Sequence, residues 1–165
     1  MIEIKPPALG LSAEAELILR ALPQWFGIEE STQSYIKDAA ENPTLLALDD
    51  NQPVGFLTLL QHSPSSAEIY VMGVLPTHHR KGVGRLLIEA AEQHLRATNT
   101  TFLQVKTLSD KHPDEGYKRT RAFYQAMGFV LLEEFPDLWG PTNPCWQLIK
   151  TLHPWTDAAL DVGDL

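Results

Sequence analysis

The sequence predicts a mixed α/β fold: a mainly antiparallel sheet with one parallel β-α-β crossover and helices on both faces. Three observations carry this expectation. Short apolar runs of strand type lie around residues 44–75, joined by turn-forming residues, which is the pattern of consecutive hairpins. A long amphipathic helical segment then separates two strand-like runs, as a parallel crossover requires. Further helical segments precede the hairpins and follow the crossover, so both faces of the sheet can be covered. The chain has 165 residues, which fits one domain with a sizeable core. The expected boundaries are 1–153 for that domain and 154–165 for an acidic, frayed tail.

Each element has its own signal. Ile2 and Ile4 alternate with Glu3, a short first strand ended by Pro6-Pro7. Ser12 reads as an N-cap for a helix over Ala13 to Leu22, stopped by Pro23. A loop with Trp25 and Phe26 leads to a second helix, Glu30 to Glu41. Strands over Thr44–Leu48 and Pro53–Leu60 flank Asp49-Asp50-Asn51, a hairpin signal. A loop from His62 to Ser66 precedes a strand from Ala67 to Leu75, in which Gly73 marks a bulge or a close backbone approach. Val83, Leu87, Ala91 and Leu95 recur every four residues and form the buried stripe of a helix ending near Ala97. A strand near Phe102–Leu108, a helix over Tyr117–Met127 closed by Gly128, and strands near Phe129–Phe135 and Cys145–Leu152 complete the order.

Composition excludes several classes. Hydrophobic residues make up 44% and charged residues 21%, which is globular rather than disordered composition. No apolar run reaches the roughly 18 residues that a membrane span needs, and the N-terminus does not read as a signal peptide. The single cysteine, Cys145, cannot form an internal disulfide, which fits a reducing, cytoplasmic location. The net charge of −8 argues against non-specific nucleic-acid binding. That charge is uneven. Residues 80–121 hold nine basic and five acidic residues, net +4, whereas residues 1–79 hold three and ten, net −7. A positive stretch inside an acidic chain points to a local anion partner.

The richest segment runs from Val74 through Leu-Pro-Thr-His-His-Arg-Lys-Gly-Val-Gly to Arg85. A strand ends, a glycine turn follows, and a helix begins. Free N–H groups and the helix dipole favour an anion there, two glycines allow its approach, and Arg80, Lys81 and Arg85 add charge. A pyrophosphate is the best fit. A Walker A loop fails because Gly84 is followed by Arg85-Leu86, and a dinucleotide fingerprint fails because Leu87 stands where a third glycine is needed. Adjacent His78 and His79 are poorly spaced for a metal, and none is expected. No Gly-x-Ser-x-Gly elbow is present.

On these residues the sequence resembles the GNAT superfamily of acyl-CoA-dependent N-acetyltransferases. Their phosphate loop reads Arg/Gln-x-x-Gly-x-Gly/Ala, and here it is His79-Arg80-Lys81-Gly82-Val83-Gly84. A second block reads Asn-x-x-Ala-x-x-Phe/Leu-Tyr-x-x-x-Gly-Phe. Phe123-Tyr124 and Gly128-Phe129 match it, while Tyr117 and Thr120 replace the Asn and Ala. The resemblance covers about residues 67–135. It implies acetyl-CoA as acyl donor. Backbone groups of Met72, Gly73 and Val74 would bind the pantetheine arm as an added strand, and the loop from His79 to Gly84 with Arg85 would hold the pyrophosphate. Tyr117 would face the cofactor, and Tyr124 would protonate the departing thiolate. Glu68, fourteen residues before Gly82, resembles the base position of the histone-acetylating branch, with Glu29, Glu30 and His78 as alternatives.

Trp25, Phe26, Glu29 and Tyr35 lie where such proteins build the acceptor pocket, although core packing is the better reading of the aromatics. The implied activity is acetyl transfer to a small or peptidyl primary amine, cationic in view of the acidic N-terminal segment. The alternative is a non-catalytic acyl-CoA-binding regulatory module. A monomer or homodimer is expected.

Overall fold

In the computed structural model, residues 1–153 are described; the expected acidic tail from Pro154 lies outside them. The element order is β1 (Ile2–Ala8), α1 (Ser12–Arg20), α2 (Glu29–Glu41), β2 (Thr44–Asp49), β3 (Gln52–Ser63), β4 (Ser66–Val74), α3 (Val83–Ala97), β5 (Phe102–Leu108), α4 (Glu115–Ala126), β6 (Val130–Phe135) and β7 (Cys145–Thr151). A short 3₁₀ turn, Pro76–His78, precedes α3. The seven strands form one sheet in the order β1-β2-β3-β4-β5-β7-β6. β4 and β5 pair in parallel, and every other neighbouring pair is antiparallel. The expected fold class is therefore the observed one.

Local chemistry explains most boundaries. Asp50 and Asn51 take positive φ of 47° and 65°, giving the two-residue hairpin turn that matches strand twist. Pro6 and Pro7 do not end β1. They lie in the irregular step between Lys5 and Ala8, on a strand at the sheet's edge. A missing N–H is tolerated there because no further strand needs it. Ser12 is not the N-cap of α1: Leu11 holds that position and no side chain caps it. The His62–Ser66 loop is also shorter than expected, since β3 runs to Ser63 and β4 starts at Ser66.

Alternating side chains divide the core into two layers. Leu46 and Phe56 pack with Ile18, Leu19 and Ala39 of α1 and α2. Leu45, Ala47 and Leu57 pack with Val83, Leu87, Ala91 and Leu95 of α3 and with Tyr124 of α4. The predicted stripe of α3 is fully used, and its valine and two leucines each contribute about 1.5–3 kcal/mol relative to exposure. α3 is also tied to the sheet by charge. Glu92 Oε1 forms an ion pair with Lys150 Nζ at 2.5 Å, and Lys150 donates to the Met127 carbonyl at 2.7 Å, joining α3, β7 and the end of α4.

The bulge does not fall at Gly73. Thr58 pairs with Val71 and Leu59 with Ile69, so Tyr70 is the extra residue of β4. The insertion reverses the alternation: Ile69 joins the α3/α4 layer, whereas Val71 joins the α1/α2 layer. Gly73 instead permits a close approach. A Cβ there would stand 2.9 Å from Leu22 Cδ1 and 3.2 Å from Ile18 Cγ2, both well buried. Gly73→Ala should therefore destabilise the protein by about 1–3 kcal/mol through overpacking. Denaturant unfolding checks this, and an unchanged midpoint would show that α1 lies less tightly on the sheet.

Candidate active site

Beyond Ile69 the sheet opens. β4 pairs with β5 only between Ser66–Ile69 and Phe102–Val105, although both strands continue. A cleft of about 1410 Å³ occupies the gap, with Ile69, Tyr70, Val71, Met72, Gly73 and Val74 on one wall and Val105, Lys106, Thr107 and Leu108 on the other. The bulge at Tyr70 bends β4 where the separation starts. One backbone group on the free edge can be oriented from its neighbour. Leu75 N–H donates to Val54 O on the β3 side at 2.8 Å. The Val74 carbonyl, opposed to that N–H across the planar peptide, therefore faces the cleft. His79 Nε2 donates to it at 2.6 Å.

At the end of this wall the chain turns into α3. Arg80 has φ +59° and Gly82, the N-cap of α3, has φ +80°. No side chain caps this helix, and the first backbone N–H to find its helical partner is Leu86, on Gly82 O at 3.0 Å. The N–H groups of Val83, Gly84 and Arg85 are thus left for an outside acceptor. Nothing stands within 4 Å of a Cβ placed on Gly82, so the approach is open. Gly84 has a second reason to be glycine, since a Cβ there would lie 3.1 Å from Phe123 Cζ of α4. Arg80 and Arg85 line the cleft together with Arg119 of α4; Lys81, expected among them, does not.

α4 supplies the opposite side. Asp114 caps it by accepting Tyr117 N–H at 3.0 Å. Tyr117 hydroxyl donates to Trp25 O at 3.0 Å, linking α4 to the loop between α1 and α2. The Trp25 ring meets His79 edge to face at 5.8 Å. Tyr124 lines the cleft with only 6% exposure, between Phe123 and Phe129 at 5.5 and 5.7 Å. Burial pushes its phenol well above the ordinary value, with a smaller contribution from Tyr117. Burial likewise raises Tyr117 to about 12.

On the α1/α2 side the cleft is aromatic and polar. Phe26, Tyr35 and Tyr70 form a chain of edge contacts at 5.8 and 5.5 Å. Glu68 is 5% exposed. Its Oε1 receives His62 Nε2 at 2.7 Å, and Lys106 Nζ lies 3.1–3.2 Å from both carboxylate oxygens. Glu29 does not join the pocket. Arg20 holds its carboxylate at 2.5 and 2.9 Å and, with Gln33, pulls its pKa down to about 2. Glu30 also lies outside the cleft lining. His78 lines the cleft, but its ring is held by Asp49 and Thr77. His62, Tyr70, Lys106, Arg119 and Trp139 line the cleft and were not picked out as site residues from sequence. Lys106 is the fifth residue of β5, two after Gln104, where a polar residue in an apolar strand marks the face shared with Gln104 and Glu68.

A family model described as acetyltransferase (GNAT) family matches residues 14–129. The chain belongs to this family. A mycothiol acetyltransferase of Corynebacterium glutamicum (strain R) is 29% identical over 93 residues, 56% of this chain and 30% of that protein. The chain thus spans under a third of that relative's length. Among solved structures, a GNAT-family protein from Desulfovibrio desulfuricans superposes with TM-score 0.81 at 14% identity, covering 93% of this chain and all of the other. A GNAT-family acetyltransferase from Elizabethkingia anophelis, with acetyl-CoA bound, gives TM-score 0.69 at 16% identity, covering 91% and 97%.

The GNAT cleft of this chain has a testable alkaline signature. Tyr70, Tyr117 and Tyr124 all have raised pKa values, mainly through burial. The fold favours their neutral forms, so their contribution to stability is complete below about pH 10. It is lost as pH rises through the folded-state values, about 12 for Tyr70 and Tyr117. Thermal midpoints should hold steady from pH 8 to 9.5 and then fall, and Tyr124→Phe should fall less steeply. Parallel curves for the two proteins would place the Tyr124 hydroxyl in water.

Proposed function

We propose that the protein is an N-acetyltransferase that moves an acetyl group from acetyl-CoA to a primary amine by direct attack in a ternary complex. One observation carries this reading: the free edge of β4 leads from the uncapped start of α3 past Tyr124 within a single cleft. The pantetheine arm would add to β4 at Met72, Gly73 and Val74 as a further strand. Its pyrophosphate would meet the N–H groups of Val83, Gly84 and Arg85, with Arg80, Arg85 and Arg119 adding charge. His79 would release the Val74 carbonyl or share it with the arm. The hydroxyl of Tyr117, used on Trp25, would support the wall rather than contact the donor.

In the reaction the amine attacks the thioester carbonyl carbon and the C–S bond breaks toward sulfur. Tyr124 would give its proton to that sulfur. Burial makes the phenol a weaker acid, but it also raises the basicity of a thiolate formed beside it, so the proton moves as the C–S bond breaks rather than to a free, solvated thiolate. Cys145 is buried and its thiol is pushed up to about 11, so it is a poor intermediate acyl carrier, which favours direct transfer. Tyr124→Phe should lower kcat by about 10²–10⁴ with little change in CoA affinity. Thiol release with a panel of primary amines, alongside calorimetry with CoA, measures both. Equal turnover would return Tyr124 to a packing role. Donor binding without transfer to any amine would favour an acyl-CoA-binding regulatory module.

The acceptor is a cation on this reading. Support comes from the faces of Phe26, Tyr35 and Tyr70, which can hold an ammonium group by cation–π attraction. Net negative lining does not contribute, because Glu29 is turned to Arg20 and Glu68 is matched by Lys106. Spermidine should therefore be acetylated faster than glutamate at equal concentration. Preference for glutamate would overturn the cationic assignment and leave the donor site untouched.

A further inference from the structure

We propose that His62 is the group that accepts the proton of the attacking amine, and that Glu68 positions it. The proposal rests on the N-acetyltransferase reading above. Glu68, the base expected from sequence, is poorly placed to act alone. Its oxygens are engaged by His62 on β3 and by Lys106 on β5. An ammonium approaching the carboxylate would compete with a lysine already bound there. Glu68 is also 5% exposed, whereas the His62 side chain is 44% exposed at the cleft.

The contact fixes the imidazole. A carboxylate can only accept, so the 2.7 Å bond to Glu68 places the ring proton on Nε2 and leaves the Nδ1 lone pair free. The backbone supports this exposure. Gln61 pairs with Ala67 and Ser63 with Ser66, which makes His62 an extra residue of β3. Such a bulge re-aims a side chain. Leu60 lies directly opposite Glu68, so the bulged histidine folds over the carboxylate from two residues farther along β3. Other groups around the dyad are Tyr35 and Tyr70, whose phenols are raised first by burial, then by Asp38 of α2, and least by Glu68.

The proton balance closes. His62 Nδ1, directly or through one water, takes a proton from the ammonium group, and the neutral amine attacks the acetyl carbon. The C–S electron pair moves to sulfur, which receives the Tyr124 proton. The proton remaining on the acylated nitrogen returns through water to the tyrosinate. His62 then releases its proton to solvent, so the sum is ammonium plus acetyl-CoA giving amide, CoA thiol and one proton.

The experiment compares wild type, His62→Ala and Glu68→Gln with acetyl-CoA and a fixed panel of spermidine, tryptamine and lysine ethyl ester. Thiol release is followed from pH 6 to 10. His62→Ala should lose about 10²-fold or more in kcat/KM near neutral pH. The deficit should shrink toward pH 10, where more of the amine is already neutral. Added imidazole should restore part of the rate, an effect that a packing defect would not show. Because His78 and His79 share the cleft, the acid limb is assigned by its loss in the variant. Glu68→Gln should keep a histidine-dependent limb with a smaller deficit. A pH-independent loss in His62→Ala without imidazole rescue would overturn the proposal. So would near-complete loss in Glu68→Gln with His62→Ala unaffected, which would make Glu68 the base. If wild type binds CoA but acetylates no amine of the panel, the N-acetyltransferase reading falls and this assignment falls with it.

Discussion

Parallel pairing between β4 and β5 stops at Ile69 and Val105, and the rest of the site depends on that interruption. Backbone donors and acceptors left inside a protein must find partners, because an unpaired buried group costs about as much as a lost hydrogen bond. Here the orphaned edge of β4 is solved by a cleft rather than by another strand. The Tyr70 insertion reverses which layer the following side chains enter. Val71 can thus anchor under α1 and α2 while Ile69 stays under α3 and α4.

Three segments distant in sequence then converge on Trp25. Its carbonyl accepts the Tyr117 hydroxyl, its ring meets His79, and Gly116 leaves room for the indole at 3.3 Å from a would-be Cβ. The loop between α1 and α2, the phosphate-type turn and the start of α4 are thereby held in one arrangement. Gly73 and Gly84 act in the same sense. Each lets one helix approach a wall of the cleft, α1 against β4 and α4 against the first turn of α3. These glycines serve packing, whereas Gly82 serves backbone conformation and open access.

Charge follows contacts more than composition. The acidic excess of residues 1–79 reaches the cleft only in part: Glu29 faces Arg20, Asp49 faces His78 and Glu68 faces Lys106, while Asp38 and, more weakly, Glu68 still act on the Tyr35 and Tyr70 phenols. The basic excess of residues 80–121 is only partly delivered. Arg80, Arg85 and Arg119 line the cleft, while Arg121 turns inward to the Leu108 and Ser109 carbonyls and Lys111 pairs with Glu134. On the proposed reading, Phe26, Tyr35 and Tyr70 rather than net charge would give the acceptor side its chemistry.

By itself the sequence determined the order of elements, the hairpin at Asp50-Asn51, the stripe of α3, the glycine turn before it and the blocks around Gly82 and Phe123-Tyr124. All of these are local: a turn needs positive φ, a helix needs a period near four, and a cap needs a residue at a fixed offset. Only the tertiary structure decided that the bulge falls at Tyr70, that Glu29 leaves the pocket, and that His62, Glu68 and Lys106 meet. Glu29 leaves because Arg20 on the neighbouring helix holds it. The other two outcomes depend on strand register, and shifting a register by one residue exchanges the faces of a whole strand. Glu68 stands out in sequence as a carboxylate, but its partners do not, since one lies across a bulge and the other across the parallel crossover.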